Sequence, residues 1–354
     1  MNNIYIIPIF IPHLGCPHKC VFCNQDEITG FKSKIDEEYV DNTIKEYLKT
    51  IPNESHIEVS FYGGSFTGIP LEKQKKFLSI AQKYIKLGEI DAIRLSTRPD
   101  YIDEAILDNL KKYGVSIIEL GVQSMDGDVL LKSLRGHTAD DVCKASKLIK
   151  KYGFTLGLQM MIGLPGDNRQ RSLKTANEII SLQPEFVRIY PTLVVKGTYL
   201  EKMYKNGVYE PIDLESAVEL SKILYIKFKK NGIDVIRIGL QATEDINISK
   251  DVVAGPFHPA FGQLVKSSIV KDILDSIFQN NGIKDGLVDI YTNPRSTSTM
   301  VGQKKRNKIY LETKYDTEIK IIQMADIPED SVYVGFNGQL YKDSIENYIN
   351  KSTI

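Results

Sequence analysis

The chain has 354 residues, 42% of them apolar, and its 45 basic residues balance 45 acidic ones. That length and apolar content exclude a disordered chain and allow one large domain with an appendage, or two domains. A net charge of zero excludes bulk electrostatic attraction to nucleic acid, so any such attraction has to be local.

The opening run IYIIPIFIP reads as a buried strand over Ile4 to Ile11. It is too short to span a bilayer, contains two prolines, and lacks the charged flank and cleavage site of a signal peptide. No membrane partner is expected, and the cytoplasm is the expected compartment. The run GCPHKCVFCNQ follows directly, placing Cys16, Cys20 and Cys23 within eight positions. A [4Fe-4S] cluster normally takes four protein thiolates, so three on one loop leave an iron open to a substrate or cofactor. A zinc site is the alternative, with His13 or His18 completing a tetrahedral set around the three thiolates. Structural zinc sites usually pair two separated ligand clusters, however, and no second CxxC or HxxxH occurs. Cys143, at an apolar position of a helical run, reads as core filler.

Beyond the loop, β-branched runs alternate with segments of helical period, the pattern of βα units and a parallel sheet. Strands are predicted at Ile57 to Tyr62, Ala92 to Ser96, Ile117 to Val122, Thr155 to Ile162, Phe186 to Tyr190 and Asp234 to Ile238. Helices are predicted at Asp36 to Thr50, Leu71 to Leu87, Asp103 to Tyr113, Ala139 to Tyr152, Gln170 to Leu182 and Leu214 to Lys230. The fold class is α/β, a partial or full parallel β/α barrel, with the cysteine loop at its C-terminal mouth.

The strand ends carry the other candidate site residues. Gly63 and Gly64, before Ser65, let backbone approach a ligand closely, although a tight turn explains the glycines equally well. Ser96, Thr97 and Arg98 end the third strand within reach of a carboxylate or ribose. Alternation puts Glu119, Gly121 and Gln123 on one face of the fourth, where inward polar groups need partners that a bound ligand would in part supply. Arg135 in LRGHT is suited to a carboxylate, or is a solvated residue before the N-cap candidate Thr138. Gly163 in IGLPG again permits close approach.

The repetition stops near Gln241, which divides the chain into a barrel over 1–240 and a smaller α+β region over 241–354. That region holds the loop GPFHPAFG around His258, read as a substrate lid or a packed connection. A helix is predicted at Leu264 to Phe278, with β-like runs at Val288 to Thr292, Lys308 to Glu312, Ile319 to Met324 and Val332 to Val334. The basic stretch Arg295, Lys304, Lys305, Arg306 and Lys308 would contact RNA phosphates or form a solvated hairpin.

The CxxxCxxC loop with Phe22 before its last cysteine resembles the signature of radical S-adenosylmethionine (radical SAM) enzymes. FYGGSFTG, STRPDYI, IELGVQSM, LRGHT, GLQMMIGLPGD and RIYPTLVVKGT, in order, resemble the radical SAM domain of the Elongator catalytic subunit, and more weakly the oxygen-independent coproporphyrinogen III oxidases. The resemblance implies a [4Fe-4S] cluster on Cys16, Cys20 and Cys23, with the free iron chelating the methionine end of S-adenosylmethionine. Reductive cleavage then gives a 5'-deoxyadenosyl radical, fed by an electron donor such as flavodoxin or ferredoxin.

The resemblance also implies that the backbone at Gly63 to Ser65 holds the methionine amine, Arg135 its carboxylate, and the Gly163 segment the adenine. Ser65 stands where the family often has an acid. A tRNA nucleoside is the implied substrate, a tetrapyrrole-like small molecule the alternative, and an RNA-binding protein with a structural metal the non-catalytic rival. The chain departs from the Elongator subunit in a shorter first cysteine gap. After Gln241 it also lacks the glycine-rich loop, and the length, of an acetyltransferase domain.

Overall fold

A computed structural model describes residues 4–11, 15–16, 19–24, 35–52, 54–240 and 251–353. The zinc-ligand candidates His13 and His18, and positions 241–250 of the predicted boundary stretch, lie outside the described residues. The first strands are β1 (Ile4–Ile11), β2 (His56–Gly63), β3 (Ala92–Thr97), β4 (Val115–Gln123), β5 (Thr155–Ile162) and β6 (Phe186–Pro191). The two-residue β7 (Val194–Val195) and then β8 (Asp234–Ile238) follow. One sheet runs β1-β2-β3-β4-β5-β6-β8, with parallel pairing from β1 through β6.

Strand order that only advances distinguishes this sheet from a doubly wound one. Right-handed crossovers that never reverse direction put every helix on the same face, and the other face becomes an interior. Among the described residues β1 and β8 each have a single neighbour, so the barrel is open and partial.

The helices between the strands follow from local chemistry. Asp36 and Asp103 accept the amides of Tyr39 and Ile106, and Thr138 and Asp141 form a reciprocal capping box. Gly114 and Gly153 end two helices at φ of 80° and 82°, where a side chain would be strained. Helix Leu71–Leu87 buries Phe77, Leu78, Ala81 and Tyr84 on one stripe.

The described residues fall into two compact units, one within Met1–Ile212, Ile233–Ile236 and Gln241–Phe257, the other within Asp213–Gly232, Arg237–Leu240 and His258–Ile354. In the first, β9 (Val252–Ala254) pairs antiparallel with β7. The second holds β10 (Gly286–Thr292), β11 (Thr317–Gln323), β12 (Ser331–Phe336) and β13 (Gln339–Ser344), in the order β11-β10-β12-β13. Helix Phe261–Asn280 packs on that sheet through Ile269, Val270, Ile273 and Phe278. Helix Leu214–Lys230 belongs to the same unit and ties to it through Lys222, whose Nζ lies 2.5 Å from Asp272 Oδ2.

One element differs from its expectation. Lys308 to Glu312, predicted as β-like, lies inside helix Arg306–Tyr315, where Asn307 and Leu311 are buried one turn apart. Asn307 Nδ2 donates to the carbonyls of Ser267 and Met300, at 3.0 and 3.1 Å, so tertiary contacts override the local preference. The basic stretch is accordingly built on helix ends rather than on a hairpin.

Candidate functional site

A cavity of about 750 Å³ opens at the C-terminal ends of β1 to β5. In-register pairing of β1 with β2 sets Ile11 beside Gly63, so the loops that follow start side by side. Gly64 N donates to Ile11 O at 3.0 Å. Farther out, a Cβ on Gly15 would fall inside the Ser65 carbonyl and the Gly68 backbone, and a Cβ on Gly68 inside the Gly15 carbonyl. Only glycine lets these two segments touch.

The cysteine loop is fastened on its other side as well. Val21 N donates to Ser133 O at 3.1 Å and Val21 O accepts from Leu200 N at 2.7 Å, while the Val21 side chain is buried with Val194, Leu200 and Tyr209. Asn24 Nδ2 donates to Lys196 O at 3.1 Å. These anchors bring Cys16, Cys20 and Cys23 to the cavity wall. Among the described residues, no three Cys, His, Asp or Glu side chains converge as a ready-made ligand set, so a metal would itself complete the convergence.

Of the other residues proposed from the sequence, Gly63, Gly64, Ser65, Ser96, Thr97, Gln123 and Arg135 line the same cavity. Ser65 Oγ lies 3.4 Å from Cys16 Sγ. Thr97 Oγ1 lies 2.6 Å from Thr67 Oγ1, and Gln74 Nε2 donates to the carbonyls of Thr67 and Ile69, fixing the glycine loop from beneath. Gln123 sits at φ 65° where the β4–β5 register shifts, a bulge that re-aims its side chain, and its Oε1 accepts from Gln159 Nε2 at 3.1 Å. Gly163 does not line the cavity. Its amide donates to Asp167 Oδ2 at 2.9 Å and its carbonyl accepts from Tyr209 Oη at 2.6 Å, so both backbone groups are committed to closing their own loop.

Arg135 is buried and links two walls. Its Nη1 lies 3.2 Å from Cys20 Sγ, its Nη2 donates to Gly121 O at 2.7 Å, and its Nε has no hydrogen-bond partner among the described residues. Behind it, Arg98 grips Asp100 with two hydrogen bonds of 2.9 Å and donates to Arg135 O at 2.6 Å. His137 is buried beside both arginines, its Nε2 lying 3.2 Å from Val122 O. Burial, then the charges of Arg135 and Arg98, push its pKa down to about 3, so the imidazole stays neutral.

The cavity floor is charged, and Glu119, expected to need partners as an inward polar group, finds protein ones there. Its carboxylate accepts from Arg94 Nη1 at 2.9 Å, Arg188 Nε at 2.6 Å and Arg188 Nη2 at 3.1 Å. Arg94 Nη2 lies 2.5 Å from Glu58 Oε2, and Arg188 Nη2 donates to Tyr62 Oη at 3.2 Å. Burial, then the Glu119 charge, raises the Tyr62 phenol above its usual range. Glu58, Arg94 and Arg188 were missed as interior residues. For Glu58 and Arg94 the available signal was parity along β2 and β3, since they sit an even number of positions from the cavity-lining Tyr62 and Ser96.

Elsewhere, Cys143 is half-buried and burial pushes its thiol up. His258 Nδ1 accepts from Ala260 N at 3.1 Å, a turn that leads into helix Phe261–Asn280. Three cations of the basic stretch are already paired, Arg295 with Glu329 at 3.0 Å, Arg306 with Glu215 at 3.0 Å and Lys308 with Glu312 at 3.5 Å, which weakens the stretch as a phosphate-binding patch. No described helix is long and apolar enough to cross a membrane.

Comparison with known proteins adds three findings. A family model described as the Radical SAM superfamily matches residues 10–179, and one described as the Radical_SAM C-terminal domain matches residues 184–271. An uncharacterised protein of Methanocaldococcus jannaschii is 35% identical over 237 residues, which is 62% of this chain and 70% of that protein. A tRNA uridine(34) acetyltransferase of the same organism is 28% identical over 260 residues, 62% of this chain but only 48% of the relative, so the chain spans about half of that enzyme's length. Among solved structures, archaeal Methanocaldococcus infernus Elp3 with an N-terminal deletion is similar at a TM-score of 0.62 and 25% identity, covering 80% of this chain and 69% of that one.

Proposed function

Because the chain belongs to the radical SAM superfamily, we propose that it holds a [4Fe-4S] cluster on Cys16, Cys20 and Cys23, binds S-adenosylmethionine at the neighbouring strand ends, and modifies a tRNA nucleoside. The observation that carries this reading is the arrival of all three cysteines on one wall of a cavity whose other walls are the ends of β2 to β5. Thiolates are the ligand chemistry of iron–sulfur centres, so the donor set fits. The cavity also fits a charged nucleoside cofactor: a Cβ on Gly121 would meet Arg135 Nη2 at 3.0 Å, and the buried Arg135 Nε keeps an unused donor.

When bound, such a cluster would supply the electron for reductive cleavage of S-adenosylmethionine, and with it the radical chemistry of the family. The residues of the chain bind and orient. Arg135 offers positive charge at Cys20 and toward the cavity, held in place by Arg98. Ser96 and the Gln123–Gln159 amide pair offer hydrogen bonds to a ribose or base, and the backbone of Gly63 and Gly64 offers close approach. Glu119 keeps Arg94 and Arg188 in place beneath them. The tRNA substrate is supported by what the similar proteins are named for, a tRNA uridine(34) acetyltransferase among them. A flavodoxin or ferredoxin would deliver the electron.

Anaerobic reconstitution is expected to load about four irons per chain and, with dithionite, to release 5'-deoxyadenosine from S-adenosylmethionine. The triple variant Cys16→Ala, Cys20→Ala, Cys23→Ala is expected to do neither, and continued 5'-deoxyadenosine release by it overturns the assignment. Nucleosides from tRNA of wild-type and deletion cells should differ in one modified species. An unchanged profile removes tRNA as the substrate.

A further inference from the structure

Helix Gly127–Lys132 ends by folding the chain back on it: Leu134 N donates to Leu131 O and Arg135 N to Leu130 O, each at 3.0 Å. Such a closure needs a left-handed residue, a place usually given to glycine. Here Leu134 takes it at φ 51° while its own side chain stays exposed, a strain that its packing does not repay. What the turn delivers is Arg135. The Arg135 carbonyl accepts from Arg98 Nη2 at 2.6 Å, and Arg98 is itself clamped by Asp100. The guanidinium reaches back to the cysteine loop, with Nη2 on Gly121 O at 2.7 Å and Nη1 3.2 Å from Cys20 Sγ. The backbone makes the same connection independently, since Val21 N, one residue past Cys20, donates to Ser133 O, two residues before Arg135.

Burial decides what the contact is for. Cys20 is 7% exposed, whereas Cys16 and Cys23 are half-buried. A metal-bound cysteine is a thiolate, and a thiolate taken out of water calls for a donor or a cation. Arg135 is both, and it does not lose its charge. At Cys16 the neighbour is Ser65, 1% exposed, with Oγ 3.4 Å from Sγ. A thiolate only accepts, so with metal bound the Ser65 hydroxyl is the donor of that pair. Two ligand sulfurs thus have a donor built beside them, one charged and one neutral. Hydrogen bonds to the sulfurs and the net charge around them are what set an iron–sulfur potential. Reduction adds a negative charge, which both donors favour, the charged one more strongly.

We propose that Arg135 and Ser65 are positioning residues that act through Cys20 and Cys16 to raise the reduction potential of a cluster bound there, before any S-adenosylmethionine arrives. The proposal rests on the cluster reading above and goes beyond it, because a guanidinium that served only the cofactor carboxylate would need no sulfur neighbour.

The test uses the full chain, reconstituted anaerobically and kept free of S-adenosylmethionine. Iron is counted, and the reduced cluster is followed by electron paramagnetic resonance against solution potential. Arg135→Met is expected to load as much iron as the unmodified chain but to hold about tenfold less reduced relative to oxidised cluster at a fixed potential, a midpoint lower by about 59 mV for a one-electron couple. Arg135→Lys, which keeps the charge, is expected to recover part of that shift, and Ser65→Ala to move the midpoint the same way by less. If Arg135→Met loads no iron, Arg135→Lys and Ser65→Ala decide. Midpoints that stay with the unmodified chain in every variant that loads overturn the proposal, and so does a shift to more positive potential. Calorimetry with S-adenosylmethionine separates the rival role: an Arg135 variant that binds the cofactor more weakly at an unmoved midpoint assigns Arg135 to the carboxylate alone and overturns the proposal too. An unmodified chain that takes up no iron overturns the cluster reading and the proposal together, whereas full iron with unmoved midpoints overturns only the proposal.

Discussion

Glu58, Arg94, Glu119 and Arg188 meet as one charged network inside the β1–β8 sheet, whereas the C-terminal sheet packs Val288, Ile290, Ile319, Val332 and Val334 against Ile273 and Phe278. The apolar core is the cheaper construction. Its burial is worth roughly 25 cal/mol per Å², while ions taken out of water recover their desolvation cost only with close to complete pairing. The charged interior earns its place through what it positions, because Arg188 and Glu119 together fix the floor on which the cavity rests. Both units bury apolar side chains, and the β1–β8 sheet adds a charged network to its own.

The contrast is open to attack from both sides. Glu119→Gln leaves the buried Arg188 without its carboxylate partner and Arg94 with Glu58 alone, and is expected to cost about 3–5 kcal/mol; chemical denaturation at neutral pH measures it, and a loss below about 1 kcal/mol would mean that water relieves the network. Ile290→Ala, at 1% exposure in the apolar core, is expected to cost about 2–5 kcal/mol through the cavity it leaves. Its effect should be indifferent to salt, whereas that of Glu119→Gln should not be.

The third effect, that of His137, is read as a pH slope rather than as a loss at neutral pH. Its pKa, near 6.5 when unfolded, falls to about 3 in the fold. The unfolded chain therefore binds the extra proton first as pH falls. Stability present above pH 6.5 is lost between there and about pH 3, at up to about 1.4 kcal/mol per pH unit. His137→Gln should remove that share of the slope in denaturation curves collected across the window, and an unchanged slope would assign acid sensitivity to other groups.

Much of this architecture was legible in the chain. Thr155 to Ile162, Asp234 to Ile238 and Leu71 to Leu87 match their predicted bounds, because their periods are unbroken and their ends carry turn or cap residues. Lys308 to Glu312 was misread because KIYLE is locally β-like, while the contacts that make it helical come from Ser267 and Met300. Seven of the eight proposed cofactor positions line the cavity, since strand ends of a sequentially ordered sheet must gather at one mouth. Gly163 does not, and no feature of IGLPG distinguishes a glycine that faces a ligand from one that closes a loop. The partners of Glu119 were out of reach for a different reason: Arg94 and Arg188 lie 25 and 69 positions away, and no local period links them.

The contact of Gly15 with Gly68 has a practical meaning for anyone who transplants this chemistry. Because each backbone occupies the space where the other's Cβ would be, neither loop tolerates a side chain or an inserted residue unless the other retreats. A graft of residues 15–24 into a foreign scaffold should therefore travel with residues 63–69 as its mould, and a library that randomises one loop while freezing the other will mostly sample broken pairs.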